Sequence, residues 1–593
     1  MPAGDGVSVS RVAQLWRRLK TNDHLILSVL AVALGIAAGY GAIGFRFLID
    51  AVQFGFFGSG SEHVLSMARE LDWWHRLIAP ALGGLAAGLF IHLVLSDRRS
   101  HGVADVIQAC DLHGGRMRLR DGLSQAAASA LSIGAGASVG REGPVVHLAA
   151  TMGSWLGQRA GLDRAQMLTL LGCGVASGVA ASFNAPIAGV FFALEVVVGH
   201  YGLGAFAPVV ISAVIGTIIA RAQYGDFPAF TVPGAEIATY YEMPAFFLLG
   251  LVCAGIAITF MAGTMWTARI AGGIQVPGYL KPAIGGLLVG AIAAVYPEVL
   301  GVGYETTNLA LSGSFELQLL LILIVAKIAA SCLSLGAGFA GGVFSPSLCI
   351  GALTGSAFGM VAVLAVPEAQ ANASAYSIVG MGAVAGAVLG APISTILIIF
   401  ELTGDYTLTI GVMIAVATAS LITRQVTGGS LFTWQLRARG IDLASAHDRA
   451  EVRQIPVGDL MTDRFRTVDE RTLAGEIREV LRTAPDYDLY VTDPEGRLTG
   501  VVTFDRLRAL LFEAEPDATT TAGEIATADL DYLVPTDTLD RALDILETTP
   551  ARHLPVVADR ADPHLIGVLH RQNALVAYNK ALLRHRAEER GQT

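Results

Sequence analysis

The sequence predicts an all-α polytopic membrane domain followed by a smaller soluble α/β domain. Three observations carry that expectation. The 593-residue chain is 53% hydrophobic and only 15% charged, against about 25% charged residues in a soluble domain. The apolar excess is uneven: apolar runs follow one another from about residue 24 to 425, and composition turns ordinary from about 446 onward. Each of the two parts also repeats internally. The net charge of −10 argues against a nucleic-acid partner, which calls for a basic face. All five cysteines (Cys110, Cys173, Cys253, Cys332, Cys349) fall in the membrane part. They lack metal-ligand spacing and read as small apolar packing residues.

Residues 1–23 form a polar N-terminal segment with Arg11, Arg17, Arg18 and Lys20 just before the first apolar run. No cleavable signal is visible, and the positive-inside rule places this end in the cytoplasm. The basic loop around Arg98, Arg99, Arg116, Arg118 and Arg120 is expected on the same side. So is the tail that follows "TRQVTGGSLFTWQLRARG". The expected location is therefore the cell (inner) membrane, multi-pass, with both terminal regions cytoplasmic.

The membrane part, 24–440, divides into halves at about 24–225 and 240–435. "LIAPALGGLAAGLFIHLVL" and "AFFLLGLVCAGIAITFMAGTMW" can cross a bilayer, which takes about 20 residues. "PVVHLAATMGSWLG" and "PISTILIIFEL" read as too short. Short, interrupted spans in matching positions of two halves point to a transport site built from broken helices. The halves match at Pro144/Pro346, Gly153/Gly355, Ser154/Ser356 and Gly157/Gly359. "GCGVASG" from Gly172 then aligns with "GMGAVAG" from Gly380, and "APIAGVFFALE" with "APISTILIIFE", pairing Glu195 with Glu401. Residue matching leaves open whether the repeats are parallel or inverted.

A helix that starts inside a membrane presents unpaired N–H donors and the positive end of its dipole, which bind anions without a full charge. Pro144 and Pro346 suit first helical positions, so "GREGP" and "GGVFSP" are two candidate anion-binding helix starts. "SHGVADV", residues 100–106, is a third. Arg141 and Glu142 sit side by side in apolar surroundings, where charge is costly and tends to be functional. A carboxylate in an anion path competes with the substrate because both carry one negative charge. The bland alternative is an ordinary buried Arg141–Glu142 pair.

"GREGP", "GGVFSP" and "SFNAPIAGVFFALE", in this order, resemble the signature stretches of the CLC family of chloride channels and anion/proton exchangers, over about residues 24–440. The resemblance implies an inverted-repeat helical subunit with its own pore, assembled as a homodimer in the lipid bilayer. It implies that Glu142 is the gate. It implies that backbone groups of Val343 and Phe344, with Ser345 beside them, coordinate a central anion, and those from Arg141 to Gly143 a more external one. Partial dipoles let the ion bind and still leave.

The sequence departs from the family at three places. His101 stands with Gly102 where a serine hydroxyl reaches the anion in well-known exchangers, and Ala104 replaces the usual proline. The His101 ring can donate to the anion or turn to the cytoplasmic vestibule. Phe432 stands where a tyrosine caps the central site, so the path would be closed sterically without a hydroxyl. Val196 stands where exchangers carry an inward-facing glutamate, so the inner proton relay is lost and a channel-like or weakly coupled protein is expected. Glu195, with its repeat mate Glu401, reads as a helix-end anchor.

After a linker at 441–453, the tail repeats at 454–516 and 517–582 and ends in a polar segment, 583–593. Each copy has a β-rich run ("LYVTD", "HLPVVA") and a glycine-containing strand ("LTGVV", "LIGVL") in which Gly500 and Gly567 align. This resembles a tandem CBS pair. Thr503 and Asp505 are the possible adenine-nucleotide ligands, but Arg506, His570 and Asn573 break the expected pattern. A packing and dimerisation role is expected instead, with chloride as substrate and no cofactor or metal. A CBS-linked divalent-cation transporter would need several intramembrane carboxylates; the membrane part offers few, and its special sites are rich in N–H donors. A CBS-containing enzyme would need a catalytic constellation, and none is visible. Among anions, GREGP rather than a GREGT-type motif argues against a fluoride specialist.

Overall fold

A computed structural model describes residues 23–60, 64–199, 203–226, 230, 242–365, 373–441, 455–477, 488–503, 519–528, 530–549 and 551–589. The chain forms two compact units, divided at Leu443/Ala444. Arg11, Arg17, Arg18 and Lys20 lie outside the described residues.

The first unit is helical. Its first half holds α1 (Asp23–Phe57), α2 (Trp73–Val94), α3 (Val103–His113), α4 (Leu119–Gly134), α5 (Glu142–Ala160), α6 (Arg164–Phe183), α7 (Pro186–Phe192) and α8 (Leu203–Tyr224). Its second half repeats the series as α9 (Met243–Gly273), α10 (Lys281–Val295), α11 (Tyr304–Leu311), α12 (Leu317–Ala337), α13 (Phe344–Ala365), α14 (Ala373–Leu389), α15 (Pro392–Thr403) and α16 (Tyr406–Thr427). Helix α17 (Leu431–Ala438) follows, and a short extra helix, Val64–Glu70, is inserted in the first half. Among the described residues nine helices are long and apolar enough to span a membrane. α15, with 12 residues, rises about 18 Å, well short of a hydrocarbon core of about 30 Å.

The halves touch through reciprocal pairs. Ser138 N–H donates to Ser334 Oγ at 3.1 Å, and Ala340 N–H donates to Ser132 Oγ at 3.1 Å. Gly140 and Gly342 exchange backbone bonds of 2.7 Å each way. Glu401 accepts from the N–H groups of Ile187 and Ala188 at 3.0 and 2.7 Å, and Glu195 from those of Ile393 and Ser394 at 3.0 and 2.8 Å. Such i-to-j, j-to-i contacts define a pseudo-two-fold axis relating the halves. The last exchange also settles what Glu195 and Glu401 do. Each carboxylate caps the short helix of the opposite repeat, α15 and α7 respectively.

Three sequence expectations need correction. The helix around "PVVHLAATMGSWLG" runs from Glu142 to Ala160, 19 residues, so it is not short. Pro144 and Pro346 are the third residues of α5 and α13, not the first. The first four N–H groups of a helix have no intrahelical partner, so a missing N–H is harmless at either place. The glycine pairing of Gly172 with Gly380 is also out of register. A Cβ on Gly174 would lie 2.2 Å from Ala149 O, and one on Gly380 would lie 2.6 Å from Gly351 O. A Cβ on Gly153 would likewise meet Leu170 O, and one on Gly355 would meet Tyr376 O. The structural mate of Gly380 is therefore Gly174, two residues on. Backbone contact, not glycine identity, sets the register.

The second unit is built from two copies. Strands β1 (Arg466–Asp469), β2 (Leu489–Thr492) and β3 (Leu498–Val502) form one sheet, with β1 parallel and β3 antiparallel to β2. Helix α18 (Leu539–Thr548) precedes an antiparallel pair, β4 (His553–Val557) and β5 (Leu565–His570), which leads into α19 (Arg571–Glu589). Gly500 faces Val491 and Gly567 faces Val556 across their ladders, as the repeat requires. The copies interlock, since Thr462 exchanges backbone bonds with Val568 of the second.

Candidate anion site

The Gly140–Gly342 backbone pair brings two loops together two residues before α5 and α13 begin. Glu142 and Phe344, the first residues of these helices, therefore occupy equivalent places about the pseudo-two-fold axis. A cavity of about 50 Å³ opens there, enough for more than one water-sized particle. Its walls include Gly102 and Val103, Glu142 and Gly143, Val343 and Phe344, and Phe432. Four stretches far apart in sequence thus converge on one space. The N–H groups at the starts of α5 and α13 precede any intrahelical acceptor, so the space borders two positive helix ends.

Glu142 is fully buried. Its Oε1 accepts a 2.7 Å hydrogen bond from the Tyr304 hydroxyl, and Arg141 Nε is farther away, at 4.0 Å. Among the described residues, Oε2 has no hydrogen-bond partner. A Cβ on Gly140 would lie 2.9 Å from that oxygen and 3.1 Å from the backbone nitrogen of Ser345. Glycine at 140 leaves room for the carboxylate beside the start of α13. A simple Arg141–Glu142 ion pair does not describe the arrangement, because Arg141 lies over the Tyr304 ring, 4.6 Å from its centroid. Arg141 and Tyr304 line a second cavity, of about 30 Å³, together with Arg46, Gln53 and Glu305. Glu142 and its tyrosine partner therefore stand between the two spaces.

The start of α3 differs from expectation. The Gly102 N–H donates to Asp105 Oδ2 at 2.8 Å, and the His101 N–H donates to Gln125 Oε1 at 2.9 Å. This helix caps itself, so Gly102 lines the cavity while its N–H is already engaged. The His101 ring does not line the cavity. Its Nε2 bonds Asp97 Oδ2 at 2.8 Å, and its ring centroid lies 5.5 Å from that of His147. Asp97 sits in the loop between α2 and α3. Burial works against its charge, but the His101 hydrogen bond and the charges of His101 and Arg99 outweigh burial and hold this carboxyl below its ordinary range. Asp105 Oδ1 also takes Arg99 at 2.6 Å and Arg439 at 2.8 Å. One carboxylate therefore joins α3 to the end of α17.

Phe432 is the second residue of α17, whose start Ser430 caps by accepting from Thr433 N–H. Its ring closes the cavity without a hydroxyl. Ser345 is buried, its Oγ has no hydrogen-bond partner among the described residues, and it does not line the cavity. Val196 lies in a π-helical turn, Ala193–Val198, continuing α7, and is likewise not a lining residue. Tyr304 was absent from the sequence reading. The signal for it is the repeat itself: shifting "HGVADV" by 201 residues lands Gly102 on Gly303 and Val103 on Tyr304. In the tail, Thr503 follows β3, and Asp505 lies outside the described residues. No group of three or more metal-ligating side chains occurs among the described residues.

Residues 83–424 match the family model for voltage gated chloride channels, and residues 457–513 and 522–580 match that for the CBS domain. A Ralstonia nicotianae protein named as ClcB-like is 35% identical over 421 residues, covering 70% of this chain and 97% of its own. The chloride channel protein CLC-f of Arabidopsis thaliana is 26% identical over 631 residues, covering 92% and 79%. Among solved structures, a slow cyanobacterial Cl−/H+ antiporter superposes with a TM-score of 0.62 at 20% identity, over 70% of this chain and 98% of that one. A eukaryotic CLC transporter does so with a TM-score of 0.61 at 19% identity, over 92% and 97%.

Proposed function

The chain belongs to the voltage gated chloride channel (CLC) family, and from that premise we propose that it carries chloride, or a similar monovalent anion, through a pore in each subunit of a homodimer gated by Glu142. One observation carries the gating role: a buried carboxylate, with one oxygen unpartnered, sits where the starts of α5 and α13 meet. The helix starts that border this carboxylate suit a halide, because they recognise charge and size rather than shape. An arriving anion or a proton displaces it. The first cavity, walled by Phe432, is the inner vestibule, and the second, walled by Arg141 and Arg46, is the outer one. The basic N-terminal segment and the CBS tail face the cytoplasm, and the membrane is the cell (inner) membrane. The CBS pair serves packing and dimerisation.

Proton coupling is weak on this reading, because Val196 offers no group that can carry a proton. Purified protein in liposomes, with chloride and proton flux recorded together, tests both parts. Glu142→Gln is expected to leave chloride flux high and independent of pH. Steep pH gating retained in that variant refutes the gate. Stoichiometric proton movement driven by a chloride gradient in the wild type replaces the channel-like reading with a proton-coupled exchanger.

A further inference from the structure

The axis that relates the two halves places α3 and α11 at equivalent positions, and the two are used differently. On one side, Gly102 and Val103 leave space and line the cavity together with Phe344. On the other side, Tyr304 stands at the place of Val103 and reaches Glu142, the counterpart of Phe344. One half of a nearly symmetric site is open, and the other is filled by a phenol.

Tyr304 is fixed from several directions. Gly303, just before it, has φ of +93°, a left-handed conformation that favours glycine. The preceding loop is pinned by the buried Lys327, whose ammonium donates to Val299 O at 3.0 Å and to Gly301 O at 3.1 Å. The ring lies between Phe230, at 4.9 Å between centroids, and the Arg141 guanidinium. A phenol held this way does not need to reorganise to meet the carboxylate. Its hydroxyl donates to Glu142 Oε1, so it favours the position in which that side chain separates the two cavities.

We propose that Tyr304 is a positioning residue that latches the Glu142 gate in its blocking position through this hydrogen bond. The proposal rests on the gating role of Glu142. A tyrosine that only fills space would act the same whatever residue stands at 142, whereas a latch acts only on a gate that is present.

The experiment is chloride efflux from liposomes holding full-length protein, for the wild type, Tyr304→Phe, Glu142→Ala and the double variant. Losing a hydrogen bond to a charged group shifts an equilibrium roughly ten- to a hundred-fold. Tyr304→Phe is therefore expected to raise efflux at neutral pH toward the Glu142→Ala level, with a change of up to that size. In the Glu142→Ala background the same substitution is expected to change nothing. The ring is retained, so folding is preserved, and an unchanged size-exclusion profile checks this. An equal change in both backgrounds, or no rise in the wild-type background while Glu142→Ala does raise efflux, overturns the latch and leaves the gate standing. If Glu142→Ala itself leaves efflux unchanged, the gate fails and the latch with it.

Discussion

The crossed caps at Glu195 and Glu401 lend themselves to a quantitative test. In Glu195→Gln, an amide replaces a carboxylate that takes the Ile393 N–H on Oε1 and both the N–H and the hydroxyl of Ser394 on Oε2. One acceptor oxygen survives, and the new NH2 faces donors. In Glu401→Gln, the two backbone hydrogen bonds, from Ile187 and Ala188, are affected, and one survives. Hydrogen bonds to a charged group are each worth about 1.5–3 kcal/mol, and such losses are not additive. The amide can turn its oxygen toward the Ser394 pair and its NH2 toward Ile393, so each variant loses one N–H contact and is expected to cost about 1.5–3 kcal/mol. Thermal inactivation of the detergent-solubilised protein reads this loss, with both variants less stable than the wild type. Both survivors should retain pH-dependent chloride flux, since neither carboxylate lines the cavity. Unchanged thermal stability in Glu195→Gln, accompanied by altered proton movement, refutes the capping role and makes this carboxylate a proton carrier.

Two further outcomes are expected. Gly174→Ala and Gly380→Ala should both destabilise the protein by about 1–3 kcal/mol through overpacking, because their Cβ atoms would fall 2.2 and 2.6 Å from carbonyl oxygens, whereas Gly172→Ala, with its nearest atom a Val198 methyl at 3.1 Å, should cost less; equal losses at Gly172 and Gly174 in thermal inactivation would contradict the corrected register. In the tail, burial and then the neighbouring His553 hold His570 below the ordinary histidine value, against the opposing pull of Asp488. The unfolded chain therefore binds the proton first, so this contribution to stability is present above about pH 6.5 and is lost as pH falls through the lower folded value. Unfolding of the tail followed from pH 7.5 to 5 should show this loss, and His570→Phe should flatten the curve.

Much of this was legible in the residues. The "GREGP" and "GGVFSP" stretches and the charged pair at Arg141–Glu142 pointed to one candidate intramembrane anion site, and both stretches line one cavity. Glu195 and Glu401 read correctly as helix-end anchors, but not that each serves the other half. The side chain of His101 was open between two directions, and Asp97, four residues earlier, drew it away from the cavity. Gly102 looked like an available donor because sequence does not show that Asp105 claims its N–H. Tyr304 carried no motif of its own. Its importance comes from the two-fold axis that sets α11 opposite α3.

Periodicity, composition and repeated motifs are local properties, so the chain alone determined the kind of elements, the membrane and tail division, and which stretches are candidate N–H-rich helix starts. Which residue faces which across the pseudo-symmetry axis, and what holds the gate, are properties of pairs roughly 160 to 210 residues apart. Hydrogen bonds act over about 3 Å, and only the packing of the two halves brings such distant groups within that range.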